Sequence, residues 1–298
     1  MLKMVKEAEM TVTQVVLVDQ TKSINATLMH NAALALNVQV TQHLTKYWTG
    51  INANVSSAPT LSAVPSGAWP VFLVKTLPPG EGGFHMDKHN QPYAKVIASA
   101  HDPSWTVDAS HEICEMLVDP YGNRMTSSQA IAIEGNNVVD AKGEFSYLVE
   151  ACDPCEANNY AYEINGVAVS DFITPHFYDA SVAANVSYSY TGSIKRPRQL
   201  LPGGYISYMV SDGKWQQILW VDPGQPPQYE DPSVPPATPS LRLAIHAAMG
   251  VEANEAKRLQ RHKPHGLAAA IQARVDEYAA RRDNAADYER RLIERYGL

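Results

Sequence analysis

The chain of 298 residues is 45% apolar and carries a net charge of −7, with acidic and basic residues mixed along most of its length. That is enough apolar material for one large domain or two smaller ones, and it leaves no basic footprint for a nucleic-acid partner. Three cysteines, Cys114, Cys152 and Cys155, are too few and odd in number for a secreted disulfide scaffold.

The first twenty residues hold one short apolar run broken by Gln14 and Asp19. It fits neither a signal-peptide core nor a membrane span. The sequence therefore predicts a cytoplasmic chain with no membrane partner, although a non-classical export route would leave no mark. "TVTQVVLVD" predicts a strand ending at Asp19, and apolar residues at helical spacing from Ile24 to Trp48 predict a helix with Ser23 as its N-cap. Strands are expected in "INANVSS", "WPVFLVKTL" and "YAKVIASA", the last two separated by the turn-rich "PPGEGGFHMDKHNQP".

A short helix containing "HEICE" comes next, capped by Asp108 or Ser110 and stopped at Asp119-Pro120. Loop-rich stretches follow, then two hairpins, one around Asn165-Gly166 and one around Asp212-Gly213. Residues 222–240 are so rich in proline that an extended spacer, unable to pair into a sheet, is expected there. Residues 241–298 contain three helical stretches with interleaved Arg and Glu, which predict a small helical module able to dock the chain into a protein assembly. The expected organisation is an α+β domain over residues 1–221, a linker over 222–240 and a helical module over 241–298.

The chemistry concentrates in "SHEICEMLVDP", residues 110–120. Positions four apart share a helix face, so His111 and Glu115 can reach one ion, as the two histidines of an HExxH helix do. Glu112 lies in the neighbouring sector, where it can act as general base toward water made acidic by a zinc ion. Asp119 is a further candidate ligand, but eight residues of helix span about 12 Å, so the chain must turn before it can join. A carboxylate in place of an imidazole favours a harder ion, which brings manganese or calcium alongside zinc.

The order strand, helix, several strands and then this helix resembles the N-terminal half of zincin metallopeptidases, where an active-site helix packs beneath a twisted mixed sheet. "SHEICEMLVDP" with the later "EACDPCEANNYAYEINGVAVSDFITPHFY" also resembles the plant exordium-like (phosphate-induced) proteins and similar bacterial proteins of unassigned role. "GFHMDKHNQPYAKV" is similar to a Gly-Tyr/Phe-His turn in the bacterial relatives. The resemblance spans residues 65–210 and marks His111, Glu112, Glu115, Glu150, Asp153, Cys155 and His85. It implies a zincin-like fold with Glu112 as catalytic residue, His111 and Glu115 as metal ligands, and Glu150 or Asp119 as the third.

Two features depart from the zincin pattern: the second histidine is missing, and Cys152 adds a thiol to give "CDPC". With no second cysteine pair, "CDPC" reads as a tight two-cysteine turn, the alternative being a mixed site with His111. Cys114 reads as a buried apolar residue and Met209 as a hairpin core position. His85 and His89, in a Gly-rich turn beside Asp87, suit either ligands or an ordinary surface loop. His176, Tyr160 and Tyr162 are candidate donors to an oxyanion, and Asp153, Cys155, His85 and His176 form the expected supporting or substrate-contacting set. Two functions follow as expectations: metal-dependent hydrolysis of a peptide or protein substrate, and a non-catalytic structural or interaction protein on the same scaffold.

Overall fold

The computed structural model describes residues 12–77 and 82–231. The expected helical module of residues 241–298 and the part of the spacer from 232 to 240 lie outside the described residues.

β1 (Thr13–Asp19) is buried on both faces: Val15 and Leu17 enter the main core, while Val16 and Val18 join a smaller cluster on the far side. Such continuous apolar runs suit a strand with parallel neighbours. It lies between β2 (Ala53–Ala58) and β3 (Trp69–Val74), parallel to both. β4 (Gly83–Lys88) and β5 (Gln91–Ile97) form a hairpin in which β5 runs parallel to β3 and β4 forms the antiparallel edge, giving the order β2-β1-β3-β5-β4. β4 falls inside the stretch expected to be a turn. Only His89 and Asn90, with φ of 54° and 61°, make the turn itself, and His85 belongs to a strand whose partner is Ala94.

After β1 the Asp19 carboxylate accepts from the backbone N–H groups of Thr21, Lys22 and Ile24 and reverses the chain. The N-cap of α1 (Ala26–Val38) is Asn25 rather than Ser23: its side chain accepts from Leu28 N at 2.9 Å, while the Ser23 hydroxyl pairs with Thr21. The helix runs on through a π-helical turn (Gln39–Leu44) and α2 (Thr45–Tyr47). Gln39 Nε2 donates to Ser170 O at 2.9 Å and Trp48 Nε1 to Ile173 O at 2.8 Å, so this end of the helix is fastened to the 170–173 segment.

α3 (Trp105–Val118) carries the HEICE motif and starts earlier than expected, with Ser104 at its N-cap, Asp108 in its first turn and Ser110 internal. Ser110 Oγ accepts from Ser170 N at 2.6 Å, which ties α3 to the same segment that holds α1. The helix stops at Asp119, before Pro120, as expected.

The second sheet is antiparallel. β6 (Met125–Glu134) and β7 (Asn137–Leu148) form a long hairpin in the region expected to be loop-rich. Outside this sheet, β8 (Tyr162–Ile164) and β9 (Val167–Val169) form a separate two-stranded hairpin that turns at Asn165-Gly166, with φ of 52° and 77°, as the sequence predicts. β10 (Tyr205–Met209) and β11 (Trp215–Leu219) form the Asp212-Gly213 hairpin, and β10 pairs with β7. β12 (Gln228–Glu230) pairs with β11 although it lies in the proline-rich stretch expected to be unable to join a sheet. Tyr229 sits between Pro227 and Asp231, and three proline-free residues suffice for an edge strand.

Both sheets and both long helices feed one apolar core that includes Leu17, Leu36, Ile113, Tyr147 and Ile218. The described residues thus form a mixed α+β structure, and no helix among them is long and apolar enough to cross a membrane.

Candidate metal centre

Every residue of α3 except Asp108 is buried. A helix enclosed all round should be apolar all round, yet this one carries His111, Glu112 and Glu115, which are 5%, 1% and 0% exposed. Buried ionisable groups need compensating partners close by, and the partners arrive from two other parts of the fold.

The first is β4. Gly83 and His85 alternate with Phe84 and Met86, and their register opposite Val96 and Ala94 turns them toward the main core. A Cβ at Gly83 would lie 2.9 Å from Glu112 Oε1 and 3.0 Å from its Cγ. Glycine there lets the strand approach the helix closely enough for His85 to reach it. His85 Nε2 lies 3.2 Å from Asp119 O, while Nδ1 faces Glu112 Oε2 at 3.4 Å and Glu115 Oε2 at 3.7 Å.

The second is the segment after β7. Glu150 and Asp153 are 5% and 0% exposed, and residues Asp153–Cys155 form a 3-10 turn. The turn is wedged in place by Gly204: a Cβ there would lie 2.4 Å from Asp153 O and 2.9 Å from Pro154 O. Leu201 N donates to Pro154 O at 3.1 Å on the same side. Asp153 Oδ1 reaches His111 Nε2 at 3.2 Å, the same separation as His111 Nε2 to Glu115 Oε2. Glu115 Oε1 accepts from Cys152 N at 3.2 Å, which turns Oε2 toward both imidazoles.

Four overlapping trios bring their ligand atoms within 4.8 Å of one another: His111–Glu115–Cys152, His85–Glu112–Glu115, His111–Asp153–Glu156 and Glu115–Glu150–Asp153. Two ligands bound about 2.1 Å from one ion stand about 3.0–3.4 Å apart in octahedral or tetrahedral geometry. The separations of 3.2–3.7 Å between these imidazoles and carboxylates are close to that edge, and longer than the usual N–H···O hydrogen bond of about 2.9 Å. The donor set therefore fits a divalent cation.

Burial by itself lowers the pKa of His111. The charge of Glu115, the hydrogen bonds to Asp153 and Glu115 and the charge of Glu112 outweigh it and hold the imidazole well above its ordinary value. Burial pushes the Cys152 thiol well up, reinforced by its hydrogen bond to Cys114 and the charge of Glu115. Burial likewise raises Cys155, helped by Asp171 and Asp153. Both stay thiols at neutral pH, and all three cysteines are free and buried. The "CDPC" segment is the expected tight turn, in reduced form.

Of the expected ligands, His111 and Glu115 converge, Glu150 joins Glu115 and Asp153 but shares no trio with His111, and Asp119 joins none of them. Asp119 is buried at the C-cap of α3, where its Oδ2 accepts from Arg124 N at 2.8 Å, and it belongs to none of the four trios. The chain does turn after the helix, but the turn spends the carboxylate on its own backbone. Glu112 lies against His85, and Asp153 is a direct neighbour of His111 rather than an outer support. Cys155 is buried beside the cluster but in none of the trios. His176 is exposed and pairs with Asp179 at 2.8 Å, and Tyr162 bonds His43, so neither serves the cluster.

Three contributions escaped sequence reasoning. The Cys152 backbone N–H holds Glu115, beside the thiol already expected as an alternative partner of His111, and Glu156 completes the trio with His111 and Asp153. A signal for the latter was present: Glu150, Asp153 and Glu156 recur every third residue, the repeat of a 3-10 turn. The third is Tyr178, whose pKa is raised well above its ordinary value by burial and then by the charges of Glu150 and Asp153, so a protonated phenol lies within electrostatic reach of the cluster. No family model, curated protein or solved structure matches this chain.

Proposed function

We propose that this protein is a metal-dependent hydrolase of peptide bonds, built on a zincin-like scaffold. The cation is held by His111 and Glu115 with Asp153 and Glu150, and Glu112 acts as general base. The observation that carries the reading is the approach of His111 Nε2 to both Glu115 Oε2 and Asp153 Oδ1, 3.2 Å in each case, with Glu112 one residue along the same helix. The helix packed against a mixed sheet with an antiparallel edge strand supports the zincin-like assignment. The ordered motifs shared with exordium-like proteins are consistent with it. An imidazole among several carboxylates suits zinc, with manganese or calcium as the harder alternatives.

When bound, a divalent cation supplies a Lewis acid that polarises a carbonyl and makes water acidic near neutral pH. The chain does the rest. His111, Glu115 and Asp153 fix the position, and the Cys152 N–H locks the Glu115 carboxylate in its rotamer. The Glu112 carboxylate, kept between Gly83 and His85, takes the proton from the attacking water and returns it to the leaving amine. Tyr178 keeps a neutral phenol within electrostatic reach of Glu150 and Asp153.

One observation favours a second reading, a non-catalytic protein on the same scaffold: the side chains of His111 and Glu115 are only 7% and 0% exposed, as in a closed structural site. Metal analysis of the purified chain, followed by digestion of a mixed peptide substrate, separates the two. The hydrolase reading expects metal-dependent cleavage that Glu112→Gln lowers about 10²–10⁴-fold. Bound metal with no Glu112-dependent cleavage selects the structural reading, and a chain that binds no metal refutes the hydrolase reading.

A further inference from the structure

We infer that the cluster holds a second divalent cation between His85 Nδ1, Glu112 Oε2 and Glu115 Oε2, sharing Glu115 with the first. The inference rests on the metal site proposed above and extends it across α3 to the edge strand β4.

Three observations carry it. The first is His85. Its side chain is 0% exposed, its Nε2 is engaged with Asp119 O, and its Nδ1 makes no hydrogen bond among the described residues. A buried imidazole nitrogen aimed at two carboxylate oxygens 3.4 and 3.7 Å away is arranged as a ligand awaiting an ion. The bond from Nε2 to a backbone carbonyl fixes the tautomer with the proton on Nε2, leaving the Nδ1 lone pair free to coordinate. The second is Glu115, whose Oε2 lies 3.2 Å from His111 Nε2 on one side and 3.7 Å from His85 Nδ1 on the other. With Oε1 held by Cys152 N, this oxygen is placed to bridge. Two cations sharing one carboxylate oxygen stand about 3.5–4 Å apart, the ordinary spacing of two-metal sites. The third is charge. Glu112, Glu115, Glu150 and Asp153 are four buried carboxylates in overlapping trios, with the half-buried Glu156 a fifth; two divalent cations offset twice the charge that one does.

Occupancy of the second position changes what Glu112 does. With one cation bound, its carboxylate is available as a base. With two, Oε2 is a ligand and no longer accepts a proton from water, so excess metal inhibits peptide hydrolysis.

The test is a titration of the metal-free full-length chain with Zn²⁺ against a chromophoric chelator, repeated with His85→Gln, which keeps a polar side chain but lacks the ring nitrogen. Wild type is expected to take up two equivalents and His85→Gln one, with His111→Ala losing the tighter site. In case His85→Gln fails to fold, Mn²⁺ loading of the wild-type chain gives an independent readout, since two ions sharing a carboxylate produce a spin-coupled electron paramagnetic resonance spectrum only at the second equivalent. One equivalent in wild type, lost in His111→Ala, overturns the second site and leaves the first intact. Two equivalents unaffected by His85→Gln, or a second Mn²⁺ with an uncoupled spectrum, also overturn it. No uptake refutes both this inference and the metal site beneath it.

Discussion

A backbone donor holds Glu115 in position. Cys152 N–H holds one carboxylate oxygen and leaves the other facing His111 and His85. His111 is protonated in the metal-free chain because the neighbouring carboxylates hold its pKa well above the ordinary 6.5, against the opposing effect of burial. The sign of the linkage follows. A raised folded-state pKa contributes stability that is complete below the unfolded value and is lost as pH rises through the folded value. Metal must expel the same proton. Metal uptake is therefore expected to release a proton below the raised pKa and to tighten as pH rises toward it. Calorimetric titrations in buffers of different ionisation heat should show that release, and His111→Ala should abolish it; a buffer-independent heat in wild type would contradict the account. Gly83 gives a second check. Gly83→Ala pushes a methyl group to within 3.0 Å of Glu112, so it should lower hydrolysis far more than it lowers affinity for the first cation, at His111 and Glu115, measured side by side. Equal losses in both would mean that Glu112 is not the separable base.

Among the elements, the 3-10 turn at Asp153–Cys155 is the one most exposed to disruption, because its neighbour at Gly204 is backbone and cannot swing aside. Gly204→Ala should cost about 2–3 kcal/mol by overpacking and weaken metal binding along with stability. A denaturant melt with and without metal measures both, and a variant with unchanged midpoint would refute the wedge. How much of this was legible in the sequence varies by element. The HEICE helix was readable because its ligand spacing is local and Pro120 sets its end. β4 was not, because Gly83 and His85 take the inward positions that usually carry apolar residues, and a strand whose inner face is polar looks like a turn. β6 and β7 were missed for a different reason: Asp140, Lys142 and Glu144 do alternate along β7, but Ala141 and Gly143 between them are too small to mark an apolar face. The convergence of Asp153 with His111 is a contact across the fold, and no local pattern encodes it. Only the three-residue acidic repeat hinted at it.

The two sheets meet across one core, and Arg198 is the polar clamp beside it. Fully buried, with φ of 53°, it donates to Ser128 Oγ at 2.8 Å, to Asp140 Oδ1 at 3.0 Å and to the carbonyls of Asp179 and Ala180. Arg198→Met strands those acceptors and should lower stability by about 3 kcal/mol, without altering the metal stoichiometry of the folded fraction. Thermal melts and metal titration on the same preparation test this, and an unchanged melting temperature would show that the clamp is idle. β1, α1, α3, β7 and β11 share one core. The candidate metal centre sits where three parts of it meet: α3, the edge strand β4 and the segment after β7. The most direct test is a crystal structure of the full-length chain grown with Zn²⁺, with anomalous differences recorded across the zinc edge. A peak about 2.0–2.2 Å from His111 Nε2 and Glu115 Oε2, with Asp153 or Glu150 completing the shell, is the predicted result. An edge-dependent map with no peak there, while those side chains keep their positions, would contradict it.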